Sequence, residues 1–165
     1  MSLADAPDRE AAWLLTTGDG LPTLLRGAGG PWDVIQAYAP RTPNMRQTQL
    51  YVIRRRYPTV RFAQQRRLAT HYLQVTATWP IGQGFTGPGI TESEQRALDI
   101  ALAAVIGRLE GFVTDKTHGN RFQAVGETPN GAAFDTNLGD PITGIAAGLL
   151  TATITYTADD SEYIA

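Results

Sequence analysis

The amino-acid sequence predicts an α+β domain: a single, mostly antiparallel sheet with one main amphipathic helix packed on one face and short helices at the N-terminus. Three observations predict it. "HYLQVTATW" and "LLTATITYT" alternate apolar with polar residues, the period of a sheet covered on one side only. "TESEQRALDIALAAVIGRLEG" carries an apolar stripe at helical spacing. Strands lie in succession before the helix and again after it, which argues against alternating βαβ units. At 165 residues one core suffices, and a chain of this size buries roughly 70% of the surface it exposes when unfolded. With no repeat or linker to divide it, residues 1–165 read as one domain.

Residues 1–40 read as a helical segment. In "DAPDREAAWLLTTGDG", Pro7 suits a first helical turn, Asp8 and Glu10 complement the helix dipole, and Gly18 and Gly20 end the helix. "GGPWDVIQAYAP" repeats this pattern, with Trp32, Ile35 and Tyr38 at helical spacing between two prolines, and predicts a second short helix. Residues 48–80 predict a three-stranded antiparallel meander formed by "QTQLYVIRRR", "PTVRFAQQRR" and "HYLQVTATW". In the last of these, Leu73, Val75, Ala77 and Trp79 take one face, and Tyr72, Gln74, Thr76 and Thr78 the other.

The main helix is expected over 91–110. Thr91 with Glu94 forms a capping box, Leu98, Leu102, Val105 and Leu109 make the buried stripe, and Gly111 supplies the exit. Residues 121–157 give the closing strands, "RFQAV" and "LLTATITYT". They are separated by a loop at 126–147 too rich in Gly, Pro, Asn and Asp for regular structure. Leu150, Ala152, Ile154 and Tyr156 alternate with threonines in the last strand, and an acidic tail, "ADDSEYIA", follows.

Composition removes several chemistries. The chain has no cysteine, so disulfides, thiol catalysis and cysteine-ligated metals are excluded. His71 and His118 are its only histidines, and Ser2, Ser93 and Ser161 its only serines, a thin supply for triads or imidazole metal sites. No apolar run approaches the roughly 20 residues of a membrane span, and "MSLADAPDRE" lacks the pattern of a signal peptide, so a soluble protein of cytoplasmic origin is expected.

Three short motifs point to chemistry and fail on inspection. Gly82, Gly84 and Gly87 spell G-x-G-x-x-G, but Pro88 and Gly89 separate them from the helix, and Glu92 and Glu94 set negative charge where a phosphate would sit. The run reads as a connector. "DTNLGD" places oxygen ligands at alternate positions, as calcium loops do; its glycine is fifth instead of sixth, and Ala146 stands where a bidentate Glu belongs, so it reads as a turn. Asp115 and His118 share a polar turn with no nucleophile, and His71 reads as a surface or core-edge residue. No catalytic, cofactor-binding or metal-ligating residue is assigned.

The formal net charge of −2 conceals a division. No carboxylate lies between Asp33 and Glu92, an interval that holds Arg41, Arg46, Arg54, Arg55, Arg56, Arg61, Arg66 and Arg67. Beyond Glu92 the acids predominate. Three readings of the basic hairpin follow. Its arginines could contact phosphates while Tyr51, Tyr57 and Phe62 stack on bases, which would make a small nucleic-acid-binding module. They could form a solvated face that keeps a strand edge soluble. In the third reading one subunit's basic hairpin packs on its neighbour's acidic surface, and the expected subunit-interface residues are Arg54, Arg55, Arg56, Arg61, Arg66, Arg67, Asp159, Asp160 and Glu162.

Taken in order, the N-terminal segment, the meander from "QLYVIRRR" to "YLQVTATW", the helix "ESEQRALDIALAAVIGRLEG", a looped stretch and the closing "GLLTATITYTADDSEY" resemble the tail terminator proteins of long-tailed bacteriophages. The likeness spans nearly the whole chain and is one of layout, with no signature residue to carry over. It implies a homo-oligomeric ring, usually a hexamer, that caps the tail tube, stops its polymerisation and joins it to the head-completion or connector proteins. The implied partners are further copies of the chain, the tail tube protein and a connector protein, with no membrane. The resemblance further implies that DNA passes through the ring without specific binding. The implied place is the head-proximal end of the virion tail, reached after assembly in the host cytoplasm, and the implied role needs neither catalysis nor a cofactor. A head-closure or neck protein is the alternative within the same class.

Overall fold

The structure, a computed structural model, describes residues 2–42, 44–81, 90–127 and 133–164, and of Ile90 and Thr91 the backbone alone. Along the chain these form α1 (Ala6–Leu15), β1 (Val34–Ala37), β2 (Gln49–Arg56), β3 (Thr59–Ala63), β4 (Arg66–Pro80), α2 (Ile90–Glu110), β5 (Ala124–Val125), β6 (Asp135–Leu138), α3 (Pro141–Ala147) and β7 (Leu149–Tyr163). The fold is α+β. All strand pairs are antiparallel except β1 with β2.

The two alternating segments make the spine. β4 and β7 pair without interruption from Arg66↔Tyr163 to Pro80↔Leu149, a ribbon about 50 Å long at the usual rise per residue. The sheet order is β1-β2-β4-β7-β5, with β3 also on β4 and β6 also on β7. β2 lies against residues 72–78 of β4 and β3 against residues 66–69, so the two follow one another along a single edge. The expected three-strand meander is therefore one long hairpin whose first limb is broken. The break falls at Tyr57 and Pro58, since proline has no N–H for the ladder, and the register slips beside it between Arg54 and Arg56.

The alternation works as the sequence implies. Leu73, Val75, Ala77 and Trp79 of β4 and Leu150, Ala152, Ile154 and Tyr156 of β7 are buried in one core. The α2 stripe of Leu98, Leu102, Val105 and Leu109 joins the same core, each side chain contributing roughly 1.5–3 kcal/mol before entropy is deducted. The α1 residues Ala6, Ala11 and Leu14 belong to it as well. On the opposite face Gln74, Thr76, Thr153, Thr155 and Thr157 remain partly exposed.

Three expectations are corrected. The second N-terminal helix is the strand β1, paired in parallel with β2 from Val34↔Gln49 to Ala37↔Val52. The β-branched pair Val34 and Ile35 suits an extended backbone, and a reciprocal clamp fixes the register: Thr48 N–H donates to Asp33 Oδ2 and Asp33 N–H to Thr48 Oγ1, both at 2.9 Å. Trp32 then packs edge-on against Trp79, with ring centres 5.3 Å apart. The chain reaches β1 through a tight loop that requires glycine at position 30, where a Cβ would stand 2.2 Å from the Leu24 carbonyl carbon.

The stretch 126–147 is not without regular structure. It contains β6, laid along residues 152–155 of β7, and α3, whose N-cap Asp140 accepts from the Ile142 N–H at 3.1 Å. "DTNLGD" is thus a strand followed by a helix cap. The acidic tail is not a tail either. β7 runs on to Tyr163 because its last residues complete the ladder with the start of β4, and "RFQAV" contributes only the two-residue β5. Gly82, Gly84 and Gly87 lie outside the described residues, as does the Thr91 side chain of the capping box, whose backbone falls within α2; Glu94 accepts a hydrogen bond from Trp79 Nε1 at 2.8 Å.

Candidate assembly surface

The fold gathers the arginines of the middle segment along the β2–β3–β4 hairpin and treats them differently. Arg54 turns inward, donating to the Leu3 carbonyl and stacking on Tyr57 with its guanidinium 3.8 Å from the ring centre. Arg67 pairs loosely with Glu162 of the adjacent strand at 3.8 Å, and Arg66 donates to Ser161 Oγ at 3.3 Å. Arg55, Arg56 and Arg61 are exposed, Arg56 over the ring of Tyr72 at 4.5 Å and Arg61 donating to the Gln64 carbonyl at 3.0 Å.

The acidic residues of the proposed interface sit on β7, beside those arginines within the same chain. Asp159 accepts from Thr70 Oγ1 at 2.8 Å. Asp160 is 3% exposed and holds Arg9 at 2.6 Å and His71 Nε2 at 3.2 Å. Burial alone would raise the Asp160 pKa, but the hydrogen bonds from His71 and Arg9 overcome it and hold the carboxyl below its ordinary value. Asp160 is thus taken up within its own chain, while Asp159 and Glu162 stay partly exposed beside β4. Of the bases expected there, Arg55, Arg56 and Arg61 face solvent.

Those exposed arginines belong to a projecting arm. α2, with 21 residues, is about 32 Å long and shorter than the ribbon beneath it. β3 lies at one end of that ribbon and is exposed along its whole length, so neither of its faces is covered. Val60 is 64% and Phe62 67% exposed on either side of Arg61. A strand edge so furnished leaves apolar side chains in water, with the charge limiting indiscriminate pairing.

Sequence reasoning missed the polar clusters that fasten α1 to the sheet. Glu10 is wholly buried, accepts from the Tyr156 hydroxyl at 2.6 Å and meets His118 Nδ1 at 2.9 Å. His118 Nε2 donates to the Leu109 carbonyl at 2.7 Å, and its ring stacks on Trp13 with centres 4.8 Å apart. The carbonyl can only accept, so Nε2 carries a hydrogen. Burial and the Glu10 carboxylate push the Tyr156 pKa well up, leaving the phenol a donor. His118 takes a left-handed backbone, φ +52°, which these bonds hold in place.

Asp115 makes no hydrogen bond to the His118 ring among the described residues. Its carboxylate caps its own turn through Thr117 and the Gly119 N–H, and the Thr117 bonds lower its pKa. His71, expected at a surface or core edge, is fully buried against Asp160. Arg108, on the inner side of α2, grips Asp19 through two bonds of 2.8 Å and lies 4.5 Å over Trp13. The ion-paired and long-range contacts of these clusters span separations of 89 to 151 residues, and a lone sequence carries no signal for such pairs.

As chemistry, the clusters are closed: each carboxylate is engaged by groups of the fold itself, and no described group of three His, Cys, Asp or Glu residues could hold a metal ion. Tyr51, considered as a base-stacking residue, is buried with its hydroxyl on Gln49, whereas Tyr57, with Arg54 over its ring, is 48% exposed and Phe62 stays open as well. No protein-family model matches this chain, and no curated protein matches it.

Proposed function

We propose that this chain is a tail terminator, a ring-forming subunit that caps a phage tail tube, ends its growth and joins it to the connector. The observation that carries this reading is the β3 arm: five residues exposed on both faces, with Val60 and Phe62 unprotected beside an arginine that has no carboxylate partner within the described chain. A strand of that kind is costly to leave in water and gains stability when a second surface covers it. The polar, partly exposed threonine face of the sheet suits a lining past which DNA slides without being held. In the assembled particle the ring sits between tube and head-completion protein at the head-proximal end of the tail.

The test uses tail tube protein polymerising in vitro. Added at about one ring per hundred tube subunits, the chain shortens the tubes in electron micrographs and leaves a ring on one end of each. Tubes of unchanged length without caps would contradict the reading, and rings that bind the portal-side connector but never the tube would assign the chain to head closure instead.

The alternative of a nucleic-acid-binding module draws on Arg55, Arg56 and Tyr72, which line a groove of about 390 Å³ on the open sheet face. It requires DNA affinity that falls steeply with salt.

A further inference from the structure

The arm needs an acceptor, and the acids of β7 are engaged within their own chain. A second surface has the complementary character. On the opposite lateral edge of the sheet, between α2 and the β6–α3 segment, lies a groove of about 100 Å³ lined by Leu98, Asp99, Leu138, Pro141 and Leu150. Leu138 is 58% and Ile142 79% exposed, and Ile100 projects beside Asp99. The charges at this rim are acidic: Asp99 has no ion pair within the described chain, and Asp135 and Asp140 are exposed nearby. It is therefore an apolar socket with a negative rim, where the arm is an apolar knob with a positive rim.

β3 is attached to one side of the β4–β7 ribbon and β6 to the other, and they lie at different levels along it, β3 at residues 66–69 of β4 and β6 at the level of residues 74–77. One copy cannot bring its own knob to its own socket. We infer that the occupant of the socket is a second copy of this chain, Phe62 of one subunit seating between Leu138 and Leu98 of the next with Arg61 against Asp99. The contact is heterologous, so each copy offers one knob and one socket, and repetition closes a ring. This deepens the ring reading above and rests on it. It replaces Asp159, Asp160 and Glu162 as the acceptor with surface that the fold leaves open.

The absence of native cysteine gives a direct test. A chain carrying both Phe62→Cys and Leu138→Cys, oxidised after assembly, yields a ladder of covalent multimers that stops at the ring size; either substitution alone yields none. Phe62→Ala raises the dissociation constant between subunits about 30-fold, as expected for a buried aromatic anchor. Arg61→Glu and Asp99→Arg each weaken association, and the two together in one chain restore it. All four positions are exposed in the free chain, and circular dichroism on each variant establishes that the fold is kept. Rings that form without cross-linking, or without rescue by the charge exchange, would overturn this contact and leave the terminator reading standing. Cross-linked rings that fail to cap tubes would do the reverse.

Discussion

Glu10→Ala is expected to lower the free energy of unfolding by about 3–5 kcal/mol, since it leaves two buried polar partners unsatisfied at about 1–3 kcal/mol each. The side chain has no solvent to fall back on, and its loss leaves the Tyr156 hydroxyl and His118 Nδ1 facing an apolar gap. α1 loses one tie to the last strand and one to the turn after α2, because the same carboxylate bridges them, while Arg9 keeps its bonds to Asp160 and the Arg121 carbonyl. Urea unfolding reads the change as a lower midpoint with an unaltered slope. Glu10→Gln keeps the volume and one acceptor and is expected to fall between wild type and alanine. An alanine variant within about 1 kcal/mol of wild type would mean that the network is incidental to the fold.

The second large effect concerns Asp160 and has a pH signature. Its folded pKa lies below the ordinary 3.8, so in acid the unfolded chain binds the proton more readily than the folded one. The contribution of the Arg9 and His71 contacts is therefore complete above pH ~4 and is lost as pH falls through the depressed folded value. Asp19, lowered chiefly by its bond from Arg108, acts in the same direction. Asp160→Ala is expected to cost about 3 kcal/mol at neutral pH, since Arg9 and His71 are left buried without it. Asp160→Asn, measured by urea midpoints from pH 7 to pH 2, should lose less stability than wild type over the acid limb. Parallel acid limbs in the two proteins would contradict the assignment.

What could be read from the sequence was whatever is periodic. The β4 and β7 alternation and the α2 stripe are dictated by burial on one face, and burial repeats at the period of the element, so Leu73 to Trp79, Leu150 to Tyr156 and Leu98 to Leu109 were each legible. The failures are short or non-local. Trp32, Ile35 and Tyr38 fit a helix over two turns, yet a clamp between Asp33 and Thr48, 15 residues apart, selects the strand. "DTNLGDPITGIAAG" is polar and broken by glycine, and it orders because β7 supplies a ladder for β6 and Asp140 caps α3. "ADDSEY" looks like a solvated tail until the first residues of β4 are seen opposite it.

The candidate site divides in the same way. That the arginines would gather along one hairpin followed from their spacing, and that some would face solvent followed from strand alternation. That Asp160 would be enclosed by Arg9 and His71, residues 151 and 89 positions away, did not. Nor did the socket at Leu138, formed by a segment that reads as loop. Both depend on which strands become neighbours, a property of the whole topology.

The central claim is that this chain works through contact between copies of itself, and the mass of the purified wild-type chain in solution measures that most directly. Multi-angle light scattering at micromolar concentration should return a single closed species at an integral multiple of 17.8 kDa, which Arg61→Glu shifts toward the monomer. A wild-type chain that remains at 17.8 kDa at every concentration, and in the presence of tube protein, would contradict it.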